Sequence, residues 1–143
     1  MTDYKIIIPA RYNSKRFPGK PLVKIHGKTM LERVWLNAMD SAASEVIIAT
    51  DDQRIEAVAK NFGAHVCVTS NEHKSGTDRI IEAIEILGLR DDEIILNVQG
   101  DEPLLSNKLM DECASLISDK GGCIGTLASP FTKGERLDNP NLV

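Results

Sequence analysis

Four basic residues lie within one short segment near the start of the sequence. They are Arg11, Lys15, Arg16 and Lys20, and the segment from Pro9 to Leu22 that holds them contains no acidic residue. The oxygens of a polyphosphate are bound well by several charge-assisted donors arranged around them. The segment therefore predicts a polyphosphate-binding loop. The alternative is a basic loop that is simply solvated.

Two adjacent carboxylates follow an apolar run later in the sequence. Residues 94–98 read Ile-Ile-Leu-Asn-Val, and Asp101 and Glu102 come directly after Gln99 and Gly100. A hard cation such as Mg²⁺ is commonly held by one or two carboxylates together with phosphate oxygens and waters. Asp101 is the predicted metal ligand. The alternative is a turn stabilised by the two acids, which the neighbouring Gly100 and Pro103 also favour.

A third segment, from Ser75 to Arg79, begins a predicted helix. Ser75 or Thr77 can cap that helix, and its first backbone N–H groups have no partner within the helix. Such groups can bind an anion or read the edge of a nucleobase. An ordinary helix cap without a ligand remains the alternative.

These three segments each follow a predicted strand in a regular alternation of strands and helices. The predicted strands are Lys5–Ile8, Glu45–Ala49, His65–Val68, Glu93–Val98 and Cys123–Leu127. The predicted helices are Thr29–Met39 with a capping box at its start, Asp52–Phe62 with Asp51 at its start, Thr77–Leu87 and Asn107–Ile117. The alternation indicates an α/β fold with a mostly parallel sheet and helices on both faces. Ligands of such sheets bind beyond the carboxyl ends of the strands, where the three segments lie.

Composition and charge exclude several other classes of protein. The chain has 143 residues, 42% hydrophobic and 27% charged, which is typical of a folded domain rather than a disordered chain. A net charge of −4 and an aromatic content of 4% indicate no nucleic-acid or membrane partner. No signal sequence or long apolar run is present, so we expect a cytoplasmic protein.

Familiar motifs for nucleotides and metals are missing. Gly27-Lys28-Thr29 matches the end of a P-loop, but Leu22 stands where that motif needs its first glycine, and no GxGxxG occurs. The three cysteines, without CxxC spacing, indicate buried thiols rather than a zinc site or a disulfide framework. The three histidines fall in unrelated places and indicate no catalytic base. The cysteines are Cys67, Cys113 and Cys123, and the histidines are His26, His65 and His73.

The combination of motifs resembles the CMP-Kdo synthetases, the 3-deoxy-manno-octulosonate cytidylyltransferases, over nearly the whole chain. The motifs occur in the family's order. They are Ile8-Pro9-Ala10-Arg11-Tyr12, Ser14, Arg16, Pro18-Gly19-Lys20-Pro21-Leu22, Ala49-Thr50-Asp51, Ser75-Gly76-Thr77-Asp78-Arg79, Asn97-Val98-Gln99-Gly100-Asp101-Glu102-Pro103 and Asn139-Pro140-Asn141. The resemblance implies a Rossmann-like nucleotide-diphospho-sugar transferase architecture. It also implies a reaction that joins CTP and Kdo into CMP-Kdo and pyrophosphate for lipopolysaccharide synthesis, with Mg²⁺ as cofactor.

The same resemblance implies roles for individual residues. Arg11, Arg16 and Lys20 would hold the triphosphate and stabilise charge on the leaving pyrophosphate, while Asp101 would bind Mg²⁺ and thereby help to activate the sugar hydroxyl. Gln99 would lie where the sugar acid meets the nucleotide. The residues expected around the nucleotide, with backbone near the cytosine, are Ala10, Ser75, Gly76 and Arg79.

Residues 1–143 are expected to form the nucleotide-binding part of a longer, truncated cytidylyltransferase domain. By the resemblance, a C-terminal part that this sequence does not include supplies a second metal-binding aspartate, most sugar-acid contacts and the elements of a homodimer. The alternatives are a synthetase for another sugar acid such as sialic acid, a non-catalytic CTP-binding module, and a scaffold domain with a basic loop.

Overall fold

The computed structural model describes residues 2–128, which form six strands and four α-helices. The strands are β1 (Tyr4–Ala10), β2 (Lys24–Ile25), β3 (Lys28–Thr29), β4 (Glu45–Thr50), β5 (His65–Val68) and β6 (Ile94–Asn97). The helices are α1 (Met30–Met39), α2 (Gln53–Asn61), α3 (Gly76–Leu87) and α4 (Asn107–Lys120). A short 3-10 turn at Lys20–Leu22 precedes β2. The predicted motif Asn139-Pro140-Asn141 lies outside the described residues.

The main sheet has four parallel strands in the order β5-β4-β1-β6. Strand β1 lies inside the sheet, with Ile7 opposite Ile47 of β4 and Asn97 of β6. Its side chains from Ile6 to Ala10 are all buried, as expected for a parallel strand covered on both faces. The predicted parallel sheet is confirmed.

Helices cover both faces of this sheet, as predicted. Successive side chains of β1 point to opposite faces, so Ile6 and Ile8 pack in one core while Ile7 packs in the other. The first core receives buried residues of α1, α2 and α4, including Leu31, Ile55 and Met110. The second core receives Ile80 and Ala83 of α3. Three helices therefore lie on one face and α3 lies on the other.

The helices begin at side-chain caps, two of them at a predicted residue. Thr29 accepts a hydrogen bond from the Glu32 N–H at 3.1 Å, which confirms half of the capping box. Ser75 accepts one from the Asp78 N–H at 3.1 Å at the start of α3. The prediction was wrong for α2, because its cap is Asp52 rather than Asp51. Asp51 instead faces α3, as described below.

Two local features differ from the predictions. The predicted strand at Cys123–Leu127 is wrong: residues 122–128 have no regular structure and are exposed. Apolar sequence forms a strand only when a neighbouring strand supplies hydrogen bonds, and none in the described part of the chain pairs with this segment. The hairpin of β2 and β3 was not predicted. It turns at His26 and Gly27, whose φ values of 48° and 81° match the type I′ turn of tight hairpins.

The cysteine prediction is confirmed for two of the three residues. Cys67 and Cys113 are buried free thiols, whereas Cys123 is exposed because the segment that carries it forms no strand. Within residues 2–128, no helix is long and apolar enough to cross a membrane.

Candidate functional site

The strand order places a crevice between the carboxyl ends of β1 and β6. After β1 the chain adds β4 and then β5 on one side of β1. It then crosses back and adds β6 on the other side of β1. The strand order therefore reverses between β1 and β6, and α/β proteins commonly bind ligands beyond the carboxyl ends of the strands at such a reversal. A cleft of about 180 Å³ occupies this position. Its walls come from the loops after β1, β5 and β6 and from the first turn of α3.

The cleft brings together all of the predicted site residues except Arg16. Those that line it are Ala10, Arg11, Lys20, Ser75, Gly76, Arg79, Gln99 and Asp101. Arg16 is exposed on the loop after β1 and is not part of the cleft lining. Its predicted role at the triphosphate stays a prediction.

Lys20 and Asp101 form an ion pair across the cleft. The Lys20 Nζ lies 2.8 Å from the Asp101 Oδ2, and the two side chains are 42% and 49% exposed. Lys20 is placed by the 3-10 turn, which begins after Gly19 in a left-handed conformation with φ 73°. Such a φ suits glycine and strains other residues. The basic loop and the acidic loop therefore meet side chain to side chain.

Asp101 is positioned by a close contact between the ends of β1 and β6. Gly100 is buried, and a Cβ atom on it would lie 3.3 Å from the Pro9 carbonyl oxygen. A glycine therefore allows the acidic loop to pass close to the backbone at the end of β1. Gln99, just before it, is exposed at the cleft, where its side-chain amide donates to Asn97 Oδ1 at 3.3 Å.

The first turn of α3 forms another wall of the cleft. A Cβ atom on Gly76 would lie 3.3 Å from Pro9 Cγ, so the helix start packs against the end of β1. The N-terminus of a helix carries partial positive charge and unpaired N–H groups. With Arg11 and Lys20, this wall gives the cleft several groups that attract anions.

Arg79 borders the cleft, but its guanidinium is engaged inside the protein. The residue is 3% exposed. Its Nη1 donates to the Thr69 hydroxyl and to the Ser70 carbonyl oxygen, the latter at 3.2 Å, and its Nη2 lies 3.5 Å from the Asp51 Oδ1. Arg79 thus ties α3 to the ends of β4 and β5. Its predicted contact with nucleotide stays a prediction.

His73 lies in the cleft, although the sequence pattern indicates no role for it there. It lines the cleft, and its Nε2 forms a hydrogen bond with the Glu82 carboxylate of α3. Glu82 also accepts from the Ser70 N–H at 2.9 Å. The hydrogen bond from His73, followed by that from Ser70, lowers the pKa of the Glu82 carboxyl. The local sequence does not indicate this pairing, because His73 and Glu82 are brought together only by the packing of the loop after β5 against α3.

The cleft fits Mg²⁺ only when phosphate oxygens complete its ligands. In the part of the chain that the structure describes, no cluster of three or more His, Cys, Asp or Glu residues could hold a metal by itself. Asp101 offers one hard carboxylate beside basic groups suited to phosphate. This donor set matches the ordinary binding of Mg²⁺ through one or two carboxylates, substrate phosphates and waters.

Comparisons with known proteins agree with this geometry. A curated relative, the 3-deoxy-manno-octulosonate cytidylyltransferase of Pasteurella multocida (strain Pm70), is 48% identical over 143 residues, covering 100% of this chain and 55% of that protein. The solved structure of CMP:2-keto-3-deoxy-manno-octonic acid synthetase complexed with CTP matches with a TM-score of 0.77 and 38% identity. That match covers 85% of this chain and 49% of the other.

A cytidylyltransferase from Leptospira borgpetersenii serovar Hardjo-bovis (strain JB197) has the same fold, with a TM-score of 0.67 and 26% identity over 85% of this chain and 51% of the other. The chain thus spans about half the length of the relatives it matches. A sequence model of the family described as cytidylyltransferase matches residues 5–143. The chain therefore belongs to the cytidylyltransferase family.

Proposed function

We propose that this chain is the nucleotide-binding part of a 3-deoxy-manno-octulosonate cytidylyltransferase. The reaction would join CTP and Kdo, form a bond between the sugar hydroxyl and the α-phosphorus, and release pyrophosphate. The observation that carries the proposal is the meeting of Lys20 and Asp101, 2.8 Å apart, in the cleft between β1 and β6. The names of the similar proteins support the choice of CTP and Kdo.

The cleft residues support binding and alignment of a triphosphate. Arg11 and Lys20 line it with side chains that can donate charge-assisted hydrogen bonds to phosphate oxygens. We infer that they hold the triphosphate and stabilise charge that develops on the leaving pyrophosphate. Arg16, which is exposed on the same loop outside the cleft lining, would assist Arg11 and Lys20 in binding the triphosphate. This transfer needs no covalent intermediate on the protein, so alignment and charge stabilisation supply most of the catalysis.

The remaining cleft residues suit the nucleoside and the sugar acid. Ala10, Ser75 and Gly76 line the cleft with backbone and small side chains, beside which a planar base can approach closely. Gln99, which is exposed in the cleft near Asp101, would contact the sugar acid. Asp101 would hold Mg²⁺, which when bound supplies charge neutralisation on the phosphates and activation of the attacking hydroxyl.

Binding of CTP tests the nucleotide role, and release of pyrophosphate tests the reaction. We expect CTP to bind in calorimetry and to raise the melting temperature, with a larger rise when Mg²⁺ is present. Pyrophosphate release should then be measured with CTP, Mg²⁺ and either Kdo or sialic acid. Binding without release would support a non-catalytic CTP-binding module. Faster release with sialic acid than with Kdo would overturn the choice of sugar.

A chain that CTP neither binds nor stabilises would contradict the whole proposal and favour a scaffold domain. Three further expectations from the sequence analysis above stay predictions. They are a cytoplasmic location, a homodimer, and the supply of activated Kdo for lipopolysaccharide.

A further inference from the structure

We propose that Arg54 of α2 is a positioning residue that holds the phosphate-binding loop in place through the ring of Tyr12. The inference rests on the proposed function, because it concerns how Lys20 is presented to a triphosphate. Neither Arg54 nor Tyr12 lines the cleft. Their role would be to fix the two ends of the loop formed by residues 12–19.

The first contact is between Arg54 and Tyr12. The Arg54 Cζ lies 3.3 Å from the centroid of the Tyr12 ring, with the guanidinium over the ring face. This is a cation–π contact, for which arginine over an aromatic face is the most frequent arrangement. It links α2 to the first residue of the 12–19 loop.

The second contact joins Tyr12 to Gly19 at the other end of the loop. The Gly19 N–H donates to the Tyr12 carbonyl oxygen at 2.8 Å. A Cβ atom on Gly19 would lie only 3.0 Å from Tyr12 Cε2, so the ring packs directly on the glycine backbone. Because Lys20 is the next residue, the position of the Tyr12 ring determines where the lysine leaves the loop.

Arg54 is itself held by the cap of its helix. Its Nε and Nη2 donate to Oδ1 and Oδ2 of Asp52 at 3.0 and 2.7 Å, and Asp52 also accepts from the Arg54 and Ile55 backbone N–H groups. The side-chain bonds from Arg54 are the main cause of the lowered pKa of Asp52. The guanidinium is thereby oriented before any ligand arrives, which reduces the loop ordering that binding would otherwise require.

Hydrogen exchange without nucleotide is the first test. In Arg54→Ala we expect the Gly19 amide to exchange faster than in the unmodified chain, because the ring that packs on it is no longer held. Arg90→Ala is the matched control. Arg90 also donates to a carboxylate two residues away, that of Asp92, but it precedes β6 at the opposite end of the sheet. Unchanged exchange at Gly19 in Arg54→Ala would overturn the inference.

Affinity for CTP and CMP is the second test. Loss of an exposed cation–π contact corresponds to about a two- to fivefold change in an equilibrium constant. We therefore expect Arg54→Ala to weaken CTP binding by about that factor, to leave CMP binding nearly unchanged, and to be only partly rescued by Arg54→Lys. Tyr12→Leu should have the same effect as Arg54→Ala, and the double variant should lose little more.

The outcomes separate the inference from the proposed function. Full recovery of CTP affinity in Arg54→Lys would show that only the charge matters, and would overturn the positioning role. Equal losses for CTP and CMP would overturn it as well. If the Gly19 amide exchanges faster in Arg54→Ala as expected but the unmodified chain binds no CTP, the positioning role of Arg54 is supported and the proposed function fails.

Discussion

The ammonium of Lys20 lies 2.8 Å from a carboxylate oxygen of Asp101, although the two residues are 81 positions apart in the sequence. Both side chains are about half exposed. An ion pair of this kind contributes only about 0–1 kcal/mol, because water screens the charges. Each partner can therefore exchange the other for a ligand at small cost. In the proposed function, Lys20 would turn to phosphate and Asp101 to Mg²⁺.

Removal of the lysine should free the carboxylate for a cation. We expect Lys20→Ala to bind Mn²⁺, used as a spin probe, up to about fivefold more tightly than the unmodified chain when no nucleotide is present. Electron paramagnetic resonance measures the bound fraction. Lys28→Ala is the control, since it breaks an ion pair with Glu32 of 2.6 Å in the hairpin. Weaker Mn²⁺ binding in Lys20→Ala would contradict the competition between lysine and cation.

Lys20→Ala should also affect the binding of a triphosphate more than the binding of a monophosphate. Because Lys20 is proposed to contact the outer phosphates, Lys20→Ala should weaken CTP binding more than CMP binding in calorimetry. The opposite order would show that the lysine lies near the nucleoside instead.

Neutralising Asp101 should remove the effect of Mg²⁺ without unfolding the chain. We expect Asp101→Asn to lose the Mg²⁺-dependent part of CTP binding, and any pyrophosphate release, because the amide is a poor ligand for a hard cation. Its melting temperature should stay close to that of the unmodified chain, since the side chain is half exposed. Asp92→Asn, at the opposite end of the sheet and 74% exposed, is the control. Full Mg²⁺ dependence in Asp101→Asn would disprove the metal role.

Arg79 should affect stability more than nucleotide affinity. Its buried guanidinium bonds to Thr69 and Ser70 and lies near Asp51, and loss of hydrogen bonds made by a charged group costs about 1.5–3 kcal/mol. We expect Arg79→Ala to lower the free energy of unfolding by about that amount in urea titrations. Below its melting temperature the variant should still bind CTP. A stable variant that has lost CTP binding would instead support the nucleotide contact.

Tyr4 should make stability fall at high pH. Burial raises the pKa of Tyr4 to about 12, with help from the hydrogen bond that its hydroxyl donates to Asp111 at 2.6 Å. Since the unfolded tyrosine ionises at its ordinary pKa of 10.0, the unfolded state holds fewer protons than the native state above that pH. The contribution is complete below pH 10 and is lost as the pH rises toward 12.

Replacing the phenol with a benzene ring checks this assignment. We expect Tyr4→Phe to show a smaller decrease in the free energy of unfolding between pH 10 and 12 than the unmodified chain. Denaturant titrations at a series of pH values measure the slope. The same slope in both proteins would show that other groups cause the alkaline loss.

Much of the fold could be predicted because its signals are local. Apolar runs mark β1 and β4, while Thr29 and Ser75 mark helix starts through hydrogen bonds within a few residues. The strand predicted at Cys123–Leu127 failed for the converse reason. An apolar run becomes a strand only if a partner strand is present, and that partner is not a property of the run itself.

The sequence by itself determined the kinds of groups that surround the cleft: a basic loop after β1, an acidic loop after β6, and a helix N-terminus between them in chain order. Only the tertiary structure decided which groups meet. It pairs Lys20 with Asp101, turns the Arg79 guanidinium into the protein, and stacks Arg54 on Tyr12. The physical reason is that these contacts depend on the strand order of the sheet, which packing of distant segments establishes.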